Sequence, residues 1–198
     1  MTRPFYHDDM RALQDASDGR RVADALERHR LHRTLTDEDV AMIRAAPCLF
    51  IATGDGTTMD CSVKAGDPGF VQVTGPAEIE WPDYDGNSMY RTLGNILRNP
   101  HVGLLFVAFD GRSRRLRISG RATLHEDAAT LARHHGGRRV VRVACDEIYP
   151  NCPRYIPDLA TGAPSPFVPR PGEAPPSPEW KSRDYIRDIL PRDDPHRG

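Results

Sequence analysis

Residues Trp81–Phe106 read WPDYDGNSMYRTLGNILRNPHVGLLF. Met89, Leu93, Ile96 and Leu97 recur at helical spacing, which predicts a helix from Asn87 to Arg98. Asn99-Pro100 stops it, because the residue before a proline is pushed out of the helical region. The run Val102 to Phe109 then predicts an apolar strand. Working backward, Ala77 to Trp81 reads as a strand after the Gly75-Pro76 turn. Phe70, Val71 and Val73 make another. Cys48 to Thr53 and Met59 to Val63 form a hairpin around Gly54-Asp55-Gly56. Working forward, Asp110-Gly111 turns into Arg114 to His125. There Leu116, Ile118 and Gly120 alternate with Arg115, Arg117 and Ser119. Arg139 to Ile148 is the last strand. Six to seven short antiparallel strands, with one helix inserted after the fourth, predict a mainly β chain with flanking helices (α+β), closed or half-closed into a barrel.

The flanks differ in composition. Residues 1–46 read as a helical extension. Asp18 is expected to cap a helix running to about Arg30. Thr36, followed by Asp37, Glu38 and Asp39, is expected to start another, and Pro47 stops it. Twelve of the 18 prolines lie from Pro150 onward. Residues 151–198 therefore read as a Pro-rich arm, extended or simply solvated. Pro178 to Leu190 is expected to close the chain as a short helix with Trp180, Tyr185, Ile186 and Ile189 on one side. The barrel itself is expected over 47–150.

Composition excludes several classes. Of 198 residues, 38% are hydrophobic and 28% charged, with a net charge of −1. No apolar run has membrane-spanning length. The first nine residues lack a signal-peptide core, so a cytoplasmic protein is expected. The near-zero charge gives no whole-chain argument for nucleic acid. The four cysteines, Cys48, Cys61, Cys145 and Cys152, show no CxxC spacing. Neither a structural metal site nor a disulfide framework follows.

Four segments could carry chemistry. In DYDGNSMYR (Asp83–Arg91), Asn87 or Ser88 can cap the following helix. Arg91 would then add a guanidinium to free N–H groups at the positive end of the dipole. That is a phosphate site, or else an ordinary capped helix bearing a surface Arg. In DCSVKAGDPG (Asp60–Gly69), Ser62 and Lys64 share one strand face. They suit an anion or a polar ring, or Lys64 simply guards an edge strand. Arg112 to Arg142 holds nine arginines. Alternation makes most of them solvated, and no aromatic residues interleave to build a nucleic-acid platform. In YPNCPRY (Tyr149–Tyr155), Cys152 is either a thiolate supported by Arg154 or an inert, partly buried thiol. His134-His135, before Gly136-Gly137, reads as a loop.

Taken together, these segments resemble the pyridoxamine 5′-phosphate oxidase-like family of FMN-binding split barrels. The resemblance is carried by DCSVK (Asp60–Lys64), PGFVQV (Pro68–Val73), the stretch quoted first, and RRLRISGRATL (Arg114–Leu124). It implies an FMN-dependent oxidoreductase acting on a small molecule, with the strand Asp60, Cys61, Ser62, Val63 and Lys64 along the flavin. It implies Arg91 as the phosphate anchor. Thr92 replaces the usual Lys of that pair, with Asn87 or Asn95 compensating. Arg115 stands at or beside the position of a ring-contacting Gln. The resemblance also implies a homodimer with flavin between subunits, and no nucleic-acid or membrane partner. The family's pyridoxal-binding residues are not recognisable here, so the substrate is left open. Two other readings stand beside it: a non-catalytic flavin- or haem-binding protein on the same barrel, and a nucleic-acid-binding β-domain using the arginines.

Overall fold

The computed structural model describes residues 4–110, 114–152, 154–172 and 176–197. The elements run α1 (Asp8–Ala16), α2 (Arg20–Arg30), α3 (Asp37–Ala45), β1 (Cys48–Gly54), β2 (Met59–Ala65), β3 (Gln72–Gly75) and β4 (Glu78–Asp83). They continue with α4 (Arg91–Arg98), β5 (His101–Val107), β6 (Arg115–His125), α5 (Ala128–Leu131) and β7 (Arg139–Pro150). Two compact units divide the chain. One comprises His32–Pro153 with Asp158–Gly162; the other comprises Met1–Leu31, Arg154–Pro157 and Ala163–Gly198.

The larger unit is a split β-barrel. Its seven strands are ordered β2-β1-β5-β6-β7-β4-β3, every pair antiparallel. Alternation sets the inner face. Leu49 and Ile51, Leu104 and Phe106, Leu116 and Ile118, Val141 and Val143, and Ile79 and Trp81 are all buried. Each such side chain contributes about 1.5–3 kcal/mol on leaving water. Met42 and Ile43 of α3 and Leu93 and Ile96 of α4 complete this core. β6 and β7 are the long strands, and their register shifts between Ser119 and Gly120. A side chain at Gly120 would meet the Ala144 carbonyl at 2.3 Å, so only glycine fits there.

α3 begins as expected. The Thr36 hydroxyl accepts from Asp39 N–H, and the Asp39 carboxylate accepts from Thr36 N–H in return. The expected helix from Asn87 is shorter. It begins at Arg91, because Ser88 and Tyr90 take left-handed backbone angles, φ 62° and 50°. Met89 therefore lies outside it, exposed, and Leu97 points to solvent.

The smaller unit joins both ends of the chain. Asp18 does not cap α2: it is itself left-handed, and Gly19 occupies the cap position. Its carboxylate instead accepts from Arg21 and from the Arg192 N–H. The expected closing helix is two short 3₁₀ turns, Glu179–Ser182 and Arg187–Ile189. Between and after them, Ile186 and Leu190 bury completely against Val22 and Ala25. Lys181 donates to Asp194, and both side chains are nearly buried. Residues 173–175 of the Pro-rich arm lie outside the described residues.

Candidate functional site

Strand alternation sorts β2 into two faces. Asp60, Ser62 and Lys64 pair across from Thr53, Ile51 and Leu49 and share their inner face. Cys61 and Val63 point the other way and are exposed. α4 lies along the first set. The Ser62 and Thr92 hydroxyls are 3.0 Å apart. Asn95 Nδ2 donates to Thr53 Oγ1 at 3.1 Å, and Arg91 Nε donates to Asp60 Oδ1 at 3.3 Å. Six of the residues expected at a site therefore stand on one wall: Asp60, Ser62, Lys64, Arg91, Thr92 and Asn95.

The start of α4 opens onto this wall. No side chain caps it, so its first-turn N–H groups and the positive end of its dipole carry no side-chain acceptor. Asn87, expected as a cap, instead accepts from Met89 N–H within the preceding loop. Arg91 is the first helical residue rather than lying further into the first turn. Its side chain is 53% exposed. Asp83, at the end of β4, adds a half-buried acid. Burial pushes its carboxyl up, and the charges of Lys64, Arg139 and Arg138 pull it down without cancelling the rise.

This donor set suits a phosphate ester. It offers backbone N–H groups, a half-exposed guanidinium, an ammonium and two hydroxyls. Asp60 sets a condition, since an incoming phosphate and the Asp60 carboxylate compete for Arg91. Among the described residues, no three His, Cys, Asp or Glu side chains gather to hold a metal ion.

Arg115 is not part of this wall. It shares the outer parity of β6 with Arg117, opposite to Leu116 and Ile118, and pairs across from Val107. Yet it is only 4% exposed, and burial lowers its pKa. Within one chain it therefore lies on the other side of the sheet from Ser62 and Lys64.

The arginine-rich stretch is largely solvated, as alternation predicts: Arg117, Arg121, Arg133 and Arg138 are exposed, Arg114, Arg139 and Arg142 are half-buried, and Arg115 alone among the described ones is buried. Arg114 pairs with Asp110, Arg121 with Asp146, Arg138 with Asp85 and Arg139 with Glu126. Arg117 lies over the Tyr149 ring. Arg112 falls outside the described residues. Cys152 is exposed rather than partly buried.

One polar cluster escapes the sequence reading. Glu80 is fully buried. Its Oε1 accepts from Arg133 Nη2 at 2.8 Å and from His134 Nε2 at 3.0 Å. Its Oε2 accepts from Arg142 Nε at 2.9 Å. Burial pushes the Glu80 carboxyl up, but the hydrogen bonds from Arg133, Arg142 and His134 outweigh it and hold the group below the usual range. His134 lies in the loop expected from sequence, after α5, but it is buried there as a partner of Glu80. The only sequence signal for this cluster was a Glu between Ile79 and Trp81 and an otherwise idle His-His pair.

The sequence profile of the pyridoxamine 5′-phosphate oxidase family matches residues 35–152. No curated protein matches the chain. Among solved structures, HupZ of Group A Streptococcus is 16% identical, with 66% of this chain and 98% of that chain covered, at a TM-score of 0.47. A candidate pyridoxamine 5′-phosphate oxidase of Lactobacillus delbrueckii is 20% identical, over 60% of this chain and 95% of that one, with a TM-score of 0.48. A similar candidate from Listeria innocua is 18% identical, over 58% and 95%, with a TM-score of 0.45.

Proposed function

Because the chain belongs to the pyridoxamine 5′-phosphate oxidase family, we propose that it binds FMN on the wall between β2 and α4 and acts as an oxidoreductase on a small molecule. One observation carries this reading: the uncapped start of α4, with Arg91, opens beside Ser62 and Lys64 on a single sheet face. The helix N–H groups, Arg91 and Lys64 hold the phosphate. Thr92, Asn95 and Ser62 supply neutral hydrogen bonds beside it, and the β2 backbone at Cys61 and Val63 lies along the cofactor. Flavin supplies hydride acceptance and release; the chain binds it, orients it and sets the charge around it.

The working form in this reading is a cytoplasmic homodimer. Met59 and Val63 on the outer face of β2 are 74% and 52% exposed. Phe50, across from Val63, and Leu105, across from Phe50, continue that apolar face. A second copy covers it.

The test is an absorption spectrum of the purified protein, mass identification of what the heated sample releases, and titration with FMN and riboflavin. A flavin spectrum, with FMN bound more tightly than riboflavin, is expected. No FMN binding at micromolar concentration would defeat the reading.

A further inference from the structure

Tyr90 stands at a junction. It is the N-cap residue of α4, and its carbonyl accepts the Gly94 N–H at 2.7 Å. It also holds a left-handed backbone, φ 50°, which side-chain-bearing residues keep only where surrounding contacts impose it. Ser88, two residues earlier, is left-handed as well. The segment is therefore strained just where α4 presents its uncapped end.

One side chain holds that junction from outside the loop. The Arg139 guanidinium lies 5.4 Å from the Tyr90 ring centroid, within cation–π range. Its Nε donates to Glu126 Oε1 at 2.6 Å, and its Nη1 stands 3.8 Å from Asp83 Oδ2. Glu126, and after it Tyr90, raise the Arg139 pKa. Arg139 thus ties together β7, the end of β4, the α5 segment and the cap of α4. The neighbouring backbone reinforces this link: Arg138 N–H donates to the Asp83 carbonyl at 2.9 Å, and Arg138 pairs with Asp85 at 2.8 Å.

We propose that Arg139 is a positioning residue for the anion-binding end of α4: it clamps Tyr90 in its left-handed state and so keeps the first-turn N–H groups open to the phosphate. It touches no ligand itself. The inference rests on the FMN reading for its consequence, but the clamp is a property of the protein alone. Without the clamp, Tyr90 relaxes toward an ordinary backbone angle and the first turn of α4 frays. Phosphate affinity then falls, while contacts to the ring system stay as they were.

The test compares wild type, Arg139→Ala and Tyr90→Leu in two measurements. The second variant removes the ring under the guanidinium from a half-exposed loop position and leaves β7 untouched, so it serves if Arg139→Ala fails to fold. First, amide hydrogen exchange of the flavin-free protein should speed up at least tenfold over residues 84–94 in each folded variant, with β5 and β6 unchanged. Second, the FMN dissociation constant should rise at least tenfold, while that for riboflavin stays within twofold. Unchanged exchange over 84–94 overturns the clamp. So does an equal loss of FMN and riboflavin. If wild type binds no flavin at all, the proposed function fails, and hydrogen exchange alone still decides for or against the clamp.

Discussion

In the proposed site, the Arg91–Asp60 ion pair sets how strongly Arg91 can hold a phosphate. Its guanidinium is half exposed and shared with Asp60, so solvent screening discounts its charge. Arg91→Ala is therefore expected to weaken FMN binding about tenfold, roughly 1.4 kcal/mol, with riboflavin unaffected, as read by fluorescence titration. Asp60→Asn should act in the opposite direction, tightening FMN, because it frees the guanidinium from a competing carboxylate. Asp83 offers a test of sign. Its folded pKa is raised, burial first, with Lys64, Arg139 and Arg138 opposing. Such an acid destabilises the fold as pH rises through its unfolded value toward its folded one, and the cost persists above that window. Asp83→Asn should raise the thermal midpoint of the flavin-free protein at neutral pH, with the gain fading as pH falls below the unfolded value of 3.8. An unchanged midpoint at neutral pH would contradict this.

At the scale of elements, the Glu80 cluster fixes the α5 segment to β4 and β7. Removing one member of a buried charge group strands the others, at a cost of about 3–5 kcal/mol when the whole group is dry. Solvent reduces that cost here, because Arg133 is 42% exposed. Glu80→Gln should cost about 2–3 kcal/mol, a fall on the order of 4–12 °C in thermal midpoint for a chain of this size. The folded pKa of Glu80 is depressed from 4.5, so its contribution is complete above about pH 4.5 and is lost as pH falls through the lower folded value. Wild type should lose stability across that acidic window more steeply than Glu80→Gln does. This cluster was illegible in the sequence for a definite reason. Alternation with Ile79 and Trp81 assigns Glu80 to the solvent side, and what buries it arrives some fifty residues later with Arg133 and His134. Arg115 misleads in the same way, since strand parity says exposed and tertiary cover says buried. The hairpin, the capping box at Thr36 and the Asn99-Pro100 stop were legible because each depends on neighbours in sequence. The start of α4 was not, because Ser88 and Tyr90 are left-handed without being glycine.

For the whole molecule, the outer face of β2 and β1 carries the oligomer prediction. Sedimentation at micromolar concentration should give a dimer, and Val63→Glu, placed on an exposed position of that face, should give a monomer with weakened flavin binding. A Val63→Glu dimer would move the interface elsewhere. The smaller unit has a different consequence, one of timing. Val22 and Ala25 of α2 bury against Ile186 and Leu190, and His29 stacks on Tyr185 with ring centroids 4.2 Å apart. A ribosome adding roughly 5–20 residues each second delivers those partners about 8–30 s after α2 has been made. During that interval the barrel strands can emerge and pair, while the apolar stripe of α2 waits bare. A nascent chain of this protein thus keeps the Val22 and Ala25 stripe in water until Ile186 and Leu190 have been made.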